Sequence, residues 1–399
     1  MAIKLAILAA VPFAFALPDA SPVLNARAST CTPVAGGSSS IDDVPAITSA
    51  IASCSSGTIV IPSGSTYYLN SVLDFAGCSG CDFQVEGLLK FSSSTSYWGG
   101  RTAMINVNNI KGLKFRSLTG KGVIDGNGQD AWDLFATDSS YARPTLLYIT
   151  GGADITISNL RQKNPPNVFN SVKGGTTNIA FTSLTMDATS KSSNAPKNTD
   201  GFDIGASTAV LISNVHVTND DDCIAFKPGA NYVTVTDITC VGSHGLSVGS
   251  LGKSSSDTVK NIYVSGATMV NSTKAAGIKT YPSGGSHGLS TVSNVTWTGV
   301  VVEGCDYAIQ IQSCYGEDAS YCVSNPGDAV LTGVVFDQFS GTTSGKYGSV
   351  TGNLDCGADG TCGVRVSSYT VKAPNGGTEV LCANTPSSLG VTCTSGASG

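Results

Sequence analysis

The chain of 399 residues carries 22 Lys and Arg against 28 Asp and Glu, a net charge of −6, with only 13% of its residues charged and a pI near 5.0. That balance excludes a nucleic-acid partner, which needs a basic stripe, and any polyanionic partner would have to be held by a few local cations against a weakly repelling field. Length alone allows one large domain or several small ones, so periodicity has to decide.

Residues Met1–Ala16 hold one Lys, a short apolar run and the small-residue site Ala14-Phe15-Ala16, the layout of a secretory signal peptide. A secreted, extracellular protein is expected. Residues 17–27, polar and ending in Arg27, read as a short propeptide, which leaves 28–399 as one domain. No segment approaches the roughly 20 uninterrupted apolar residues of a membrane-spanning helix, so no membrane partner is expected. Ser40–Cys54 is the one convincing helical stretch, with Ile41, Val44, Ile47 and Ile51 at helical spacing and Ser40 as the expected N-cap.

Beyond it one pattern recurs: apolar, x, apolar, x, x, apolar. It occurs at Leu113/Phe115/Leu118, Ile155/Ile157/Leu160, Ile179/Phe181/Leu184, Val210/Ile212/Val215, Val233/Val235/Ile238, Ile262/Val264/Ala267, Val295/Trp297/Val300 and Val334/Phe336/Phe339. Irregular intervals of about two to three dozen residues are what stacked coils with variable loops produce. A β-sandwich would instead show hairpin turns every 8 to 12 residues or so. The expected fold is all-β, a right-handed parallel β-helix, with the Ser40–Cys54 helix capping its N-terminal end and the Cys- and Gly-rich region after Gly352 capping the other.

The 13 Cys of a secreted chain read as structural disulfides. Cys314/Cys322, Cys356/Cys362 and Cys382/Cys393 look like local staples, a Cys31–Cys54 bridge would pin the helix, and Cys305 is the candidate free thiol. No Cys-x-x-Cys pair is matched by a second pair or by nearby His, so no Cys-bound metal is expected. Asn271-Ser-Thr and Asn294-Val-Thr are glycosylation sequons.

The chemistry lies in three segments: Asn198-Thr-Asp200-Gly-Phe-Asp203, Asn219-Asp220-Asp221-Asp222-Cys223 and Gly242-Ser243-His244-Gly245. Asp200 and Asp222 are 22 residues apart, as are Asp222 and His244, which is close to one coil. Residues one coil apart sit about 4.8 Å from each other across a strand pair, so Asp200, Asp221, Asp222 and His244 should converge. Neighbours Asp221 and Asp222 would normally face opposite sides of a strand; a bulge or strand end is required, with Cys223 turned inward and tethered, Cys240 being the partner considered. Crowded carboxylates push at least one pKa upward, and glycosidic cleavage needs one protonated carboxyl on the leaving oxygen and a second acting on water or carbon. A solvated Asp-rich turn or a Ca²⁺ site is the competing reading of such acids. His216, in a strand, and His287, in a Gly/Ser loop, are read as structural.

At these residues the chain resembles the polygalacturonase family of glycoside hydrolases, through Gly122-Val-Ile-Asp-Gly-Asn-Gly-Gln-Asp-Ala-Trp132, Asn198-Thr-Asp, Asp221-Asp222-Cys223, His244-Gly245-Leu-Ser-Val-Gly-Ser-Leu-Gly252 and Ile278-Lys279. The resemblance implies a monomeric enzyme without cofactor or metal that cuts α-1,4-galacturonosyl links of a pectic polysaccharide with inversion. It implies Asp221 as general acid, Asp200 and Asp222 as the pair that activates water, and His244 beside them. Asn198, Lys279 and Tyr315 are the implied substrate contacts. Two departures stand out. Asp220 replaces the family's Gln, and Gly277 replaces the Arg of an Arg-Ile-Lys motif, which removes a carboxylate clamp and is expected to leave open volume for a backbone decoration. The pattern looks most like the xylogalacturonan-hydrolase branch, expected to be endo-acting on xylose-substituted galacturonan. The alternatives are a plain polygalacturonase, a Ca²⁺-dependent pectate lyase, or a noncatalytic sugar-binding β-helix.

Overall fold

The computed structural model describes residues 29–399, so the signal peptide and propeptide expectations, 1–16 and 17–27, lie outside the described residues. The strands pair in parallel into a 16-stranded and a 12-stranded sheet that run the length of one parallel β-helix. Between them lies a continuous apolar interior reaching from Val44 to Leu389. No helix among the described residues is long and apolar enough to cross a membrane.

The recurring sequence pattern is the inner surface of the larger sheet. Its first positions stack in register, Ile155 on Ile179, Val210, Val233, Ile262, Val295 and Val334. Second positions do the same, ending in Trp297 stacked on Phe336 with ring centres 4.9 Å apart. The unconstrained pair before the third apolar residue makes a corner. Ser183, Asn214, Asp237, Gly266, Gly299 and Gln338 all take positive φ there, forming one column of left-handed turns. Short polar residues and glycine tolerate that conformation, which explains why apolar residues flank the corner and rarely occupy it.

Leu118 departs from the pattern and is 57% exposed. Here the corner is enlarged: Glu86 accepts the Leu118 and Thr119 backbone amides, Ser117 Oγ accepts those of Gly120 and Gly122, and the inward position passes to Gly122. A Cβ on Gly122 would stand 1.9 Å from the Val85 carbonyl oxygen, so nothing larger fits.

The N-terminal helix runs Val44–Ser53, buries Val44, Ile47, Ala50 and Ile51, and is pinned by Cys31–Cys54. Ser40 is not its N-cap, and Ile41 is solvent-exposed. Pro45 in the first turn sets the start. The capping position falls to Asp43, whose carboxylate serves the Gly36 and Tyr68 amides instead, tying the helix to the first coil. Cys223–Cys240, Cys314–Cys322, Cys356–Cys362 and Cys382–Cys393 are bridged, Cys78–Cys81 adds a staple, and Cys305 is free and buried. Past Gly352 the chain does not leave the solenoid for a separate cap. Val350–Asp355, Thr361–Ser367, Glu379–Ala383 and Cys393–Ser395 continue the stacking.

Leu160 and Leu118 occupy the same place in the motif, with Leu160 only 1% exposed. Leu160→Ala should cost about 2–5 kcal/mol and Leu118→Ala no more than about 0.5 kcal/mol, read as shifts in denaturant midpoint. Equal losses would place Leu118 in the core.

Candidate active site

The 12-stranded sheet presents a cleft to solvent. Its strands Phe202–Ile204, Asp222–Phe226, Gly245–Leu251, Lys274–Thr280 and Tyr307–Gln312 follow one another in that order. Asp200 and Asp222 are held one coil apart by the Gly201 amide donating to the Asp222 carbonyl at 3.0 Å, and the His244 amide donates to the Asp221 carbonyl at 2.7 Å. The pairing of Asp222–Phe226 with the next strand slips between Asp222 and Ile224. This irregularity lets Asp221 and Asp222 share the cleft face while Cys223 turns inward. Asn219 clamps it: its Nδ2 donates to the carbonyls of Thr199, Asp221 and Asp222.

Asp200, Asp221 and Asp222 thus present carboxylate oxygens within 4.8 Å of one another. They line a pocket of about 500 Å³ together with Arg143, Asn198, Lys279 and Tyr315. Asp221 takes the His244 Nδ1 at 3.3 Å and the Asn198 Nδ2 at 3.1 Å. Asp222, 1% exposed, accepts from Lys279 Nζ and from Ser247 Oγ, both at 2.6 Å. Lys279 Nζ also lies 5.5 Å from the centre of the Tyr315 ring. All seven sequence candidates therefore meet in one place. Three carboxylates could hold a cation, but Lys279 already occupies one Asp222 oxygen.

The three acids stand in different electrostatic states. Burial pushes Asp200 well above the ordinary carboxyl range, and the charges of Asp203, Asp221 and Asp222 add to it. Burial acts the same way on Asp222 but is outweighed by the ammonium groups of Lys279, Lys274 and Lys227, which hold it down at about 2. For Asp221 burial is outweighed by the His244 hydrogen bond, and its carboxyl is lowered while the imidazole is raised by the same bond. Asp220 is half-buried beside His244 and Lys197, its carboxyl raised mainly by burial.

Sequence reasoning missed three cations around the acids, Arg143, Lys227 and Lys274. Arg143, buried and lowered to about 10 by burial, donates to the Asn198 Oδ1 at 2.7 Å and lies over the Phe135 ring at 3.6 Å, fixing the amide that faces Asp221. It is more than 50 residues away in the chain, and no motif marks it. Lys274, 3% exposed, donates to the His244 carbonyl at 2.7 Å and stands 3.9 Å from Asp222 Oδ1. Burial, with Lys279 nearby, lowers its ammonium to about 8.

Lys274 also overturns the expected open volume at Gly277. A Cβ there would lie 2.3 Å from the Gln310 carbonyl oxygen of the next strand and 3.0 Å from Lys274 Cδ. The backbone and the lysine stem close that space, so even Gly277→Ala would force movement. His287 sits deeper than a loop histidine: it packs 5.1 Å from Tyr281, which meets Tyr315 edge-on at 5.7 Å, and its Nε2 is 3.5 Å from Glu317. It braces the cleft wall without reaching the acids. His216 lies in the other sheet, by a polar hollow of about 450 Å³ with Asn214 and Asp237, away from the acids.

The lowered Asp222 contributes stability that is present above the ordinary carboxyl pKa, near 3.9, and is lost as pH falls through its folded value of about 2. Lys274→Met should raise that folded value, so that the acid loss of melting temperature is smaller and is complete at higher pH, whereas Lys274→Arg should keep the parent profile. Identical acid limbs for Lys274→Met and the parent would remove Lys274 as a support of the Asp222 charge.

A family model described as glycosyl hydrolases family 28 matches residues 52–394. Endo-xylogalacturonan hydrolase A of Aspergillus tubingensis is 73% identical over 383 residues, 96% of this chain and 94% of that protein. Probable endo-xylogalacturonan hydrolase A of Aspergillus niger is 72% identical over the same shares of each chain. The crystal structure of the Aspergillus tubingensis enzyme superimposes with a TM-score of 0.93, covering 93% of this chain and 100% of that one. A polygalacturonase from Erwinia carotovora shares the fold alone, with TM-score 0.71 and 18% identity over 90% of this chain and 96% of that one. With its fold, its gathered carboxylates and these matches in agreement, the chain belongs to glycosyl hydrolases family 28.

Proposed function

We propose that the protein is a secreted, monomeric hydrolase that cleaves α-1,4-galacturonosyl links inside a xylose-substituted pectin backbone, acting without metal or cofactor. The observation that carries this reading is the gathering of Asp200, Asp221 and Asp222 beside His244 in a cleft where Lys279 and Lys274 face Asp222. The 73% identity to an endo-xylogalacturonan hydrolase favours the decorated backbone and internal attack. Six disulfides fit an oxidising, extracellular site of action.

In the open cleft the Asp221–His244 hydrogen bond lowers the carboxyl and raises the imidazole, which favours the proton on His244. A sugar seated over the pair removes its water, and a desolvated ion pair loses ground to the neutral pair. The proton then passes from imidazolium Nδ1 to Asp221, which delivers it to the leaving glycosidic oxygen. Asp222, kept ionised by Lys279 and Lys274, takes a proton from the attacking water, and Asp200 shares that water by hydrogen bonding. Attack opposite the leaving oxygen inverts the anomeric carbon. Asn198 orients Asp221 and reaches the sugar, Lys279 meets a galacturonate carboxylate as a point charge, and Tyr315 lies against a ring.

Product sizing on polygalacturonate and on xylose-substituted galacturonan tests the substrate. Medium-length oligomers should appear first, faster from the substituted polymer, with the β-anomer first by NMR. Unsaturated products that vanish in EDTA would instead mark a lyase, and binding with no new reducing ends a noncatalytic module. Asp221→Asn should lower kcat by about 10²–10⁴-fold while leaving substrate binding nearly intact. Activity within a few-fold of the parent would take the acid role from Asp221.

A further inference from the structure

With Gly277 closed, a branch on the backbone needs room elsewhere in the cleft. Beside the catalytic pocket, sharing Asp203 and Lys227 with it, is a second hollow of about 340 Å³. Ser171, Val172, Lys173, Gly205, Ala206 and Pro228 are among the residues that line it. The size is at the lower end of the roughly 300–1,000 Å³ of small-molecule sites, suited to a single sugar ring and not to a chain.

Two observations indicate what fills it. Gly205 is not held in the left-handed region, and a Cβ there would meet only Lys173 Cβ at 3.4 Å, the Val172 oxygen at 3.5 Å and the Pro228 oxygen at 3.7 Å. Those are ordinary contacts, so the backbone does not require glycine, and its missing side chain leaves volume in the hollow. Asp203 and Lys227, 3.6 Å apart, line both the hollow and the catalytic pocket, so a backbone seated over the acids passes directly beside it.

We infer that this hollow receives the pentose branch of the substituted backbone. The inference rests on the substrate reading proposed above. Its test measures kcat/KM on xylose-substituted galacturonan and on polygalacturonate for the parent, Gly205→Ala, Gly205→Val and Ala206→Leu. Filling the hollow should lower the ratio of substituted to bare activity at least about tenfold in Gly205→Val and Ala206→Leu, the scale of a few methylenes in a specificity pocket, and less in Gly205→Ala. Ala206 is exposed, so its leucine variant keeps the test alive should Gly205→Val fail to fold. A parent that prefers the substituted polymer, with ratios unmoved or both activities falling together in the variants, overturns the hollow alone. A parent that prefers the bare polymer overturns the substrate reading and the hollow with it.

Discussion

Parallel strands stacked in register about 4.8 Å apart give each position its own equivalents as neighbours, above and below. Inside, this demands apolar on apolar, and the ladder from Ile155 to Val334 obeys it. On the cleft face the same rule sets Asp200 beside Asp222, an arrangement that costs free energy unless counterions reach it. They arrive from one side. Ser247, Lys274 and Lys279 lie on the coils that follow Asp222 and supply its hydrogen bonds and positive charge. Asp200, on the preceding coil, has no direct ion pair, so burial and its acidic neighbours raise its carboxyl. The contrast between an acid held at about 2 and one pushed well up follows from the direction in which the coils add their charges.

That arrangement was legible wherever the coil period controlled it. Apolar spacing marked the ladders, and two intervals of 22 residues brought Asp200, Asp222 and His244 together. Readings failed where a local feature overrode the period. Pro45 moved the helix start away from Ser40, and the Glu86-anchored corner turned Leu118 outward. Arg143 and Lys274 were invisible because nothing local distinguishes them from solvated surface cations; only the third dimension places one behind Asn198 and the other beneath Asp222. Gly277 was misjudged for a related reason. An absent side chain implies space only if neighbours decline it, and both the Gln310 carbonyl and the Lys274 stem take it.

The left-handed corners separate what must be constant from what varies. Ser183, Asn214, Asp237 and Gln338 turn the backbone at one angular position on coils whose loops differ in length. Loop growth after a corner leaves the strand register untouched. The segment with His287 and the one with Tyr315 and Tyr321 can therefore shape the cleft wall without shifting the acids.

The helix Val44–Ser53 bears on a hazard intrinsic to this architecture. A column of parallel strands in register has the strand spacing of a cross-β fibre, and its first coil offers a row of unpaired amides and carbonyls to any other chain. Ile47 and Ile51, buried under the helix and locked over that coil by Cys31–Cys54, cover the end where another molecule could add. The disulfide thus holds a plug over one end of a stacking geometry that has no internal reason to stop.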